Sequence, residues 1–244
     1  MTAHAFTAPP PAPAAVPVLH VRGLTKTYGM TTALAGVDLD LLAGQSVAIM
    51  GASGSGKTTL LHCLAGIVRP SSGSVVLTTS AGRVEVSSLP DGQRSRLRRE
   101  RLGFVFQEGL LIPELTAVEN VAMALMLRGV PRPAAEHHAA LWLQYLGLAG
   151  MEERRIGQLS GGQAQRVAIA RAQVTGAEVV FADEPTGALD SDTSREVMQA
   201  LLHATVGGGR TLVVVTHDDA VAAQCQRVVR LRDGRVVADT LEEA

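Results

Sequence analysis

The sequence predicts an α/β fold: a parallel sheet covered by helices on both faces, with an antiparallel β lobe at one side and a helical subdomain set into the chain. Two observations carry this. The apolar run 46–50 passes through a glycine-rich loop directly into the helix-like run 59–65, the strand–loop–helix step of an α/β unit. From residue 178 onward, near-continuous apolar strands alternate with helices, the pattern of strands buried on both faces.

The composition allows such a fold. A chain of 244 residues with 46 % hydrophobic content can bury one large domain or two small lobes. The net charge of −1 speaks against a dedicated nucleic-acid binder. The two cysteines, Cys63 and Cys225, lack metal-like spacing and read as small buried hydrophobes in a reducing cytoplasm. No apolar run approaches the roughly 20 residues that span a bilayer. Residues 1–17 are rich in Ala and Pro, without a basic n-region or a continuous apolar h-region. They read as a disordered tail of polyproline II character, not a signal peptide.

The elements follow in order. Residues 19–22, 33–41 and 46–50 read as strands, and 74–77 and 83–86 continue them after the loop helix, making an antiparallel β lobe beside the core. Residues 91–101 carry five arginines. No stacking aromatics are interleaved, so they read as a solvated helix with only Leu97 and Leu102 turned inward, leading into the strand 103–106. Residues 116–174 are helical. Thr116 and Glu119 form a capping box that opens a helix over 118–128, and Pro133 starts a second helix that Gly147 ends. The adjacent His137 and His138 face different directions and do not share a metal; Trp142 and Tyr145 read as packing residues. Strands at 178–183 and 211–216 alternate with helices at 191–203 and 218–224. The Asp233–Gly234 pair then turns a hairpin of type I′.

Three stretches point to phosphate chemistry. Gly51, Ala52, Ser53, Gly54, Ser55, Gly56, Lys57 and Thr58 form a P-loop pattern. Its glycines let backbone N–H groups turn inward around phosphate oxygens, and the following helix, from Thr59, points its positive end at the same place. Lys57 adds a point charge, and the Thr58 hydroxyl can ligate Mg2+. The second stretch is Ser160, Gly161, Gly162 and Gln163. Ser-x-x-Gln is also a capping box, but consecutive glycines weaken a helix start and bare its N–H groups, which makes an anion site. The third is Asp183 and Glu184 at the end of a buried strand: one carboxylate can hold Mg2+, the next can deprotonate an attacking water. Gln107 and His217 also end strands, and can meet the metal or water and the terminal phosphate. Tyr28 offers a ring that could stack a base.

With these residues in order, the chain resembles the ATP-binding-cassette (ABC) nucleotide-binding subunits along 18–240, with the helical subdomain at about 108–174. The resemblance implies a P-loop NTPase, RecA-like core. It casts Tyr28 as the base-stacking aromatic, 51–58 as Walker A, Gln107 as the Q-loop, Leu159 to Gln163 as the signature, 179–184 as Walker B, 188–190 as the D-loop and His217 as the switch. It implies ATP and Mg2+ as cofactors, with Lys57 and Gly51 to Thr59 on the phosphates and Thr58, Gln107 and Asp183 around the metal. It further implies Glu184 as general base, and a head-to-tail homodimer in which Ser160 and its glycines close over the partner copy's ATP. The stretches 104–122 and 182–191 are similar to lipoprotein-releasing and macrolide-exporter ATPases. Those subunits serve an integral-membrane permease, FtsX/MacB-like, at the cytoplasmic face of the inner membrane, with no nucleic acid expected. A cell-division ATPase that moves no substrate and a soluble nucleic-acid-linked cassette ATPase remain the alternatives. Gln173 departs from the Leu that the family commonly carries after Ala-Arg-Ala.

Overall fold

Two sheets share the chain. In a computed structural model, which describes residues 17–107 and 109–241, the first elements are β1 (Pro17–Tyr28), β2 (Thr31–Leu42) and β3 (Ser46–Met50). Then come α1 (Lys57–Leu64), β4 (Ser72–Thr79), β5 (Gly82–Glu85), α2 (Asp91–Arg101) and β6 (Leu102–Phe106). Three helices follow, α3 (Ala117–Met126), α4 (Arg132–Tyr145) and α5 (Gly161–Gln173). The chain ends with β7 (Val179–Asp183), α6 (Ser191–Thr205), β8 (Thr211–Thr216), α7 (Asp219–Ala222), β9 (Arg227–Arg232) and β10 (Arg235–Asp239). The proposed tail lies outside the described residues up to 16; Pro17 already belongs to β1.

Strands β2, β1, β4 and β5 form the antiparallel lobe. Ser46–Met50 is not part of it. It sits inside the other sheet, of order β10-β9-β3-β8-β7-β6, where every neighbouring pair from β9 to β6 is parallel. The reason is burial: all five residues of β3 are buried, so it needs a covered layer on each face. Val47 and Ile49 join Phe181, Val213 and Val215 in a core shared with α1 and the β lobe. Val180, Ala182, Leu212 and Val214 point the other way, into a core with α3, α4, α5 and α6.

Register sets the site. Met50 lies beside Thr216, Asp183 beside Val215, and Phe106 beside Asp183. The strands therefore finish level, and Gly51, His217, Glu184 and Gln107 leave the sheet at one edge. That carboxyl edge is where open α/β sheets hold ligands.

Helix α2 departs from expectation. Leu97 is buried, and so is Arg94, one turn earlier on the same face. Its aliphatic stem packs toward Gly66 and its guanidinium pairs with Asp91. A long side chain can cover apolar surface and still reach a carboxylate at the helix start.

The terminal hairpin has a structural task that its turn type alone does not disclose. Asp233 and Gly234 have φ of 50° and 72°, the left-handed pair of a type I′ turn. The Gly234 N–H donates to the Ser55 carbonyl at 3.0 Å, and its own carbonyl accepts from the Ala35 N–H at 2.9 Å. The turn thus clamps the glycine-rich loop against β2. A Cβ on Gly234 would stand 2.7 Å from the Ala33 carbonyl oxygen. The hairpin is fastened by Arg227 and Asp239, both buried and paired through Nε–Oδ1 at 2.8 Å and Nη2–Oδ2 at 2.5 Å.

Three outcomes are expected. Gly234→Ala loses about 1–3 kcal/mol in denaturant unfolding, from strain and overpacking, and weakens nucleotide binding along with it. Asp239→Ala strands a buried guanidinium and costs about 3–5 kcal/mol. Burial pushes the Asp239 carboxyl up, but the Arg227 bonds and the Leu241 N–H outweigh it, so it titrates below its ordinary value. The stability it contributes is full above about pH 4 and is lost as pH falls through the depressed value. Unfolding curves between about pH 5 and pH 2 in wild type and Asp239→Asn check this; the variant should lack that part of the acid dependence.

Candidate functional site

The glycine-rich loop and its helix line a cavity of about 640 Å³. Ala52, Ser53, Gly54, Gly56, Lys57, Thr58 and Thr59 form one wall, Ala33 flanks it, and Glu184 and His217 face it. Gly56 caps α1 with φ of 100°, and a Cβ there would strike the Ala33 carbonyl. The helix start carries no side-chain cap and no acidic residue in its first turn. Its first N–H groups are thus left for an anion. Lys57 is only 8 % exposed. Its ammonium donates to the carbonyls of Gly51 (2.8 Å) and Ala52 (3.1 Å), which holds the charge at the loop's inner side. Ser55 is buried beneath the loop, its hydroxyl unpartnered among the described residues.

Opposite the loop, the end of β7 brings two successive carboxylates, of which Glu184 lines the cavity and Asp183 does not. Asp183 accepts from the Thr58 hydroxyl at 3.3 Å. Burial pushes its carboxyl up, while the Thr58 hydroxyl, His62 and Lys57 pull it down and Glu184 adds to the rise. Glu184 has φ of 47°, a left-handed conformation that costs a non-glycine residue about 1–3 kcal/mol. Three bonds hold it there. Its N–H donates to the Val215 carbonyl (2.9 Å), its carbonyl accepts from the Gly187 N–H (3.1 Å), and its Oε1 meets His217 Nδ1 at 2.8 Å. The distortion turns the residue out of the strand and onto the His217 ring.

Other expected residues are placed differently. Gln107 follows β6 directly and lies over Gly187, where a Cβ would come 2.9 Å from its Nε2; it does not line the cavity. Tyr28 ends β1, half exposed, with the Lys26 ammonium 4.9 Å from its ring centre, and is also outside the lining.

Ser160, Gly161, Gly162 and Gln163 are not brought to the cavity at all. Here the capping box is real: the Ser160 N–H donates to Gln163 Oε1 (3.0 Å) and the Gln163 N–H to Ser160 Oγ (3.3 Å). The glycines have packing reasons too. A Cβ on Gly162 would fall 2.5 Å from Thr193 Cγ2 of α6, and one on Gly161 2.9 Å from Leu189 Cδ2. Ser160 and Gly161 remain exposed at the helix tip.

The donor set suits a magnesium ion. Such ions take one or two protein oxygens and leave the rest to water and phosphate. Thr58 Oγ1 and Asp183 Oδ1 already sit side by side, and the penalty of burial on the Asp183 charge is one a cation would relieve. Sequence reasoning missed Ala33 and the Gly234 clamp. Both depend on a contact between the ends of the chain that no local pattern announces.

Comparison with known proteins gives the family. Residues 34–187 match the ABC transporter family. The chain is 47 % identical over 232 residues to the macrolide export ATP-binding/permease protein MacB of Nitrosomonas europaea, covering 93 % of this chain and 34 % of that protein. It is 45 % identical over 233 residues to the pyoverdine export ATP-binding/permease protein PvdT of Pseudomonas aeruginosa, covering 93 % and 34 %. It thus spans about a third of the length of these curated relatives. Among solved structures, it is similar to the dimeric post-hydrolysis state of the ATP-binding cassette MJ0796 bound to ADP and Pi. That similarity has a TM-score of 0.81 at 38 % identity over 91 % of this chain and 97 % of that one. CbiO1 of Clostridium perfringens gives 0.81 at 29 %, over 91 % and 88 %. The fold is that of the ABC ATPase cassettes, and the chain belongs to the ABC transporter family.

Proposed function

We propose that this chain is the ATP-hydrolysing, nucleotide-binding subunit of a bacterial ABC transporter of the macrolide-export and lipoprotein-release type. The observation that carries the reading is Glu184, held in a strained conformation against His217 and facing the P-loop across one cavity. The α1 N-terminus and Lys57 bind the phosphates. Magnesium would be held by Thr58 and Asp183, with Gln107 completing its surroundings; it supplies charge neutralisation at the terminal phosphates. Glu184 accepts the proton of the attacking water. His217 orients that carboxylate and reaches the terminal phosphate. Tyr28 stacks the base.

Ser160 and Gly161 stand exposed and away from their own cavity, which supports a head-to-tail homodimer that places them over the other copy's nucleotide. The cassette covers 18–240, with 108–174 as its helical subdomain. No described helix is long and apolar enough to cross a membrane. The curated relatives combine ATP-binding and permease parts, which supports an integral-membrane permease, FtsX/MacB-like, as partner at the cytoplasmic face of the inner membrane. Docking falls in the groove between α2 with β6 and the helices α3 and α5, next to the segment after Gln107. ATP hydrolysis in the P-loop cavity drives export or transmits force, with no nucleic acid involved.

Glu184→Gln keeps ATP affinity, slows hydrolysis by about 100-fold or more, and accumulates a dimer with ATP. Phosphate release and size-exclusion chromatography read both, and hydrolysis at the wild-type rate would remove Glu184 as the base. Lys57→Ala weakens nucleotide binding by roughly 10- to 100-fold, read by titration of a fluorescent ATP analogue.

A further inference from the structure

The groove named above holds charges that the chain does not balance. It has a volume of about 510 Å³ and an apolar floor from Leu102, Phe104, Met123 and Leu127. Arg98, Arg99 and Arg171 line it, and no Asp or Glu among the described residues does. Arg98 is half-buried; its guanidinium donates to the Gly66 carbonyl at 2.6 Å and to the Ser95 hydroxyl at 2.9 Å. Arg171 donates to the carbonyls of Gly109 (2.6 Å) and Leu110 (2.7 Å). Arg99 is exposed and makes no ion pair among the described residues. The nearby carboxylates are engaged elsewhere: Glu100 with Arg96, Asp91 with Arg94, and Glu178 with Arg101. Burial lowers the affinity of both Arg98 and Arg171 for their protons, with Arg94 adding to the effect at Arg98.

Partly desolvated guanidinium groups bound to neutral carbonyls keep most of their desolvation penalty, and a carboxylate relieves it with charge-assisted bonds. Arginine also presents a fork that a carboxylate fits in bidentate fashion. We propose that the groove recognises an acidic amphipathic segment of the permease: an apolar side chain on the floor, flanked by carboxylates that meet Arg98, Arg99 and Arg171. This rests on the permease reading above and adds the chemistry of the docking segment.

The test uses the full chain and fluorescein-labelled synthetic helical peptides with one Leu/Ile face, flanked by Glu, by Gln or by Lys. Vesicles of phosphatidylglycerol form a further arm, and ATP affinity is measured in parallel. The Glu peptide should bind at least about tenfold tighter than the Gln peptide, and added salt should erase the difference. Arg99→Glu should weaken the Glu peptide by about fivefold or more and improve the Lys peptide, with ATP affinity unchanged. Because Arg99 is exposed, this variant keeps its fold, and Arg99→Gln gives an intermediate check. Equal binding of Glu and Gln peptides, or an Arg99→Glu variant with unchanged preference, overturns the proposal. So does arginine-dependent binding to the vesicles without peptide selectivity, which assigns the groove to lipid. Any of these with ATP binding intact leaves the ATPase reading standing; loss of ATP binding in the wild-type chain instead removes that reading.

Discussion

The level ending of the parallel strands is the constraint on which the site depends. Met50 pairs with Thr216, Val215 with Asp183 and Asp183 with Phe106, so β3, β8, β7 and β6 end within about one residue of each other. A strand's side chains alternate between faces, so a slip of one residue would invert β7 and turn Phe181 out of one core and Asp183 out of place. Two different hydrophobic cores on the two faces of the sheet forbid that slip. The precision of the cavity is therefore a product of ordinary apolar packing some distance beneath it.

Much of this was legible from local pattern. The P-loop announces itself because its chemistry needs a particular strand, loop and helix in sequence. Asp183 and His217 were legible because polar residues directly after buried apolar strands have nowhere to go but the carboxyl edge. What stayed hidden depends on contacts distant in sequence. Gly162 looked like an exposed helix start and also serves as the close-approach point for Thr193. Gly234 looked like an end-of-chain turn and instead clamps Ser55. Arg94 broke the apolar rule at a buried position because its stem and its head obey different preferences.

The strain at Glu184 marks where folding and chemistry compete. A relaxed β conformation would continue the strand and carry the carboxylate past the cavity mouth. The bonds from Gly187 and to Val215, with the His217 contact, fix the less stable alternative. The neighbouring Asp183 carries a different penalty, a half-buried charge answered in this chain mainly by the Thr58 hydroxyl. Both residues give up some stability, one in its backbone and the other in solvation, and both do so beside the glycine-rich loop and its helix. Structural ion pairs such as Arg227 with Asp239 show the contrasting case, a buried charge with its partner in full contact.

The same reasoning explains Gln173, which stands where a leucine is the commoner choice. It is fully buried, yet its amide is satisfied: Nε2 donates to Thr205 Oγ1 at 2.5 Å, and Oε1 accepts from Arg210 Nη1 at 2.6 Å. Gly162 touches Thr193, Arg166 pairs with Glu196, and Gln173 meets Thr205. These contacts advance along α5 and α6 in the same direction, so the two helices run parallel with their N-termini at one end. The Ser160 tip and the Asp190 cap of α6 therefore belong to one rigid block, latched at the far end by a buried polar bond where an apolar contact would leave sliding freer. In this chain that block holds Ser160 outside the lining of its own cavity. That placement is the ground for the head-to-tail pairing proposed above, in which the serine and its glycines meet another copy's nucleotide.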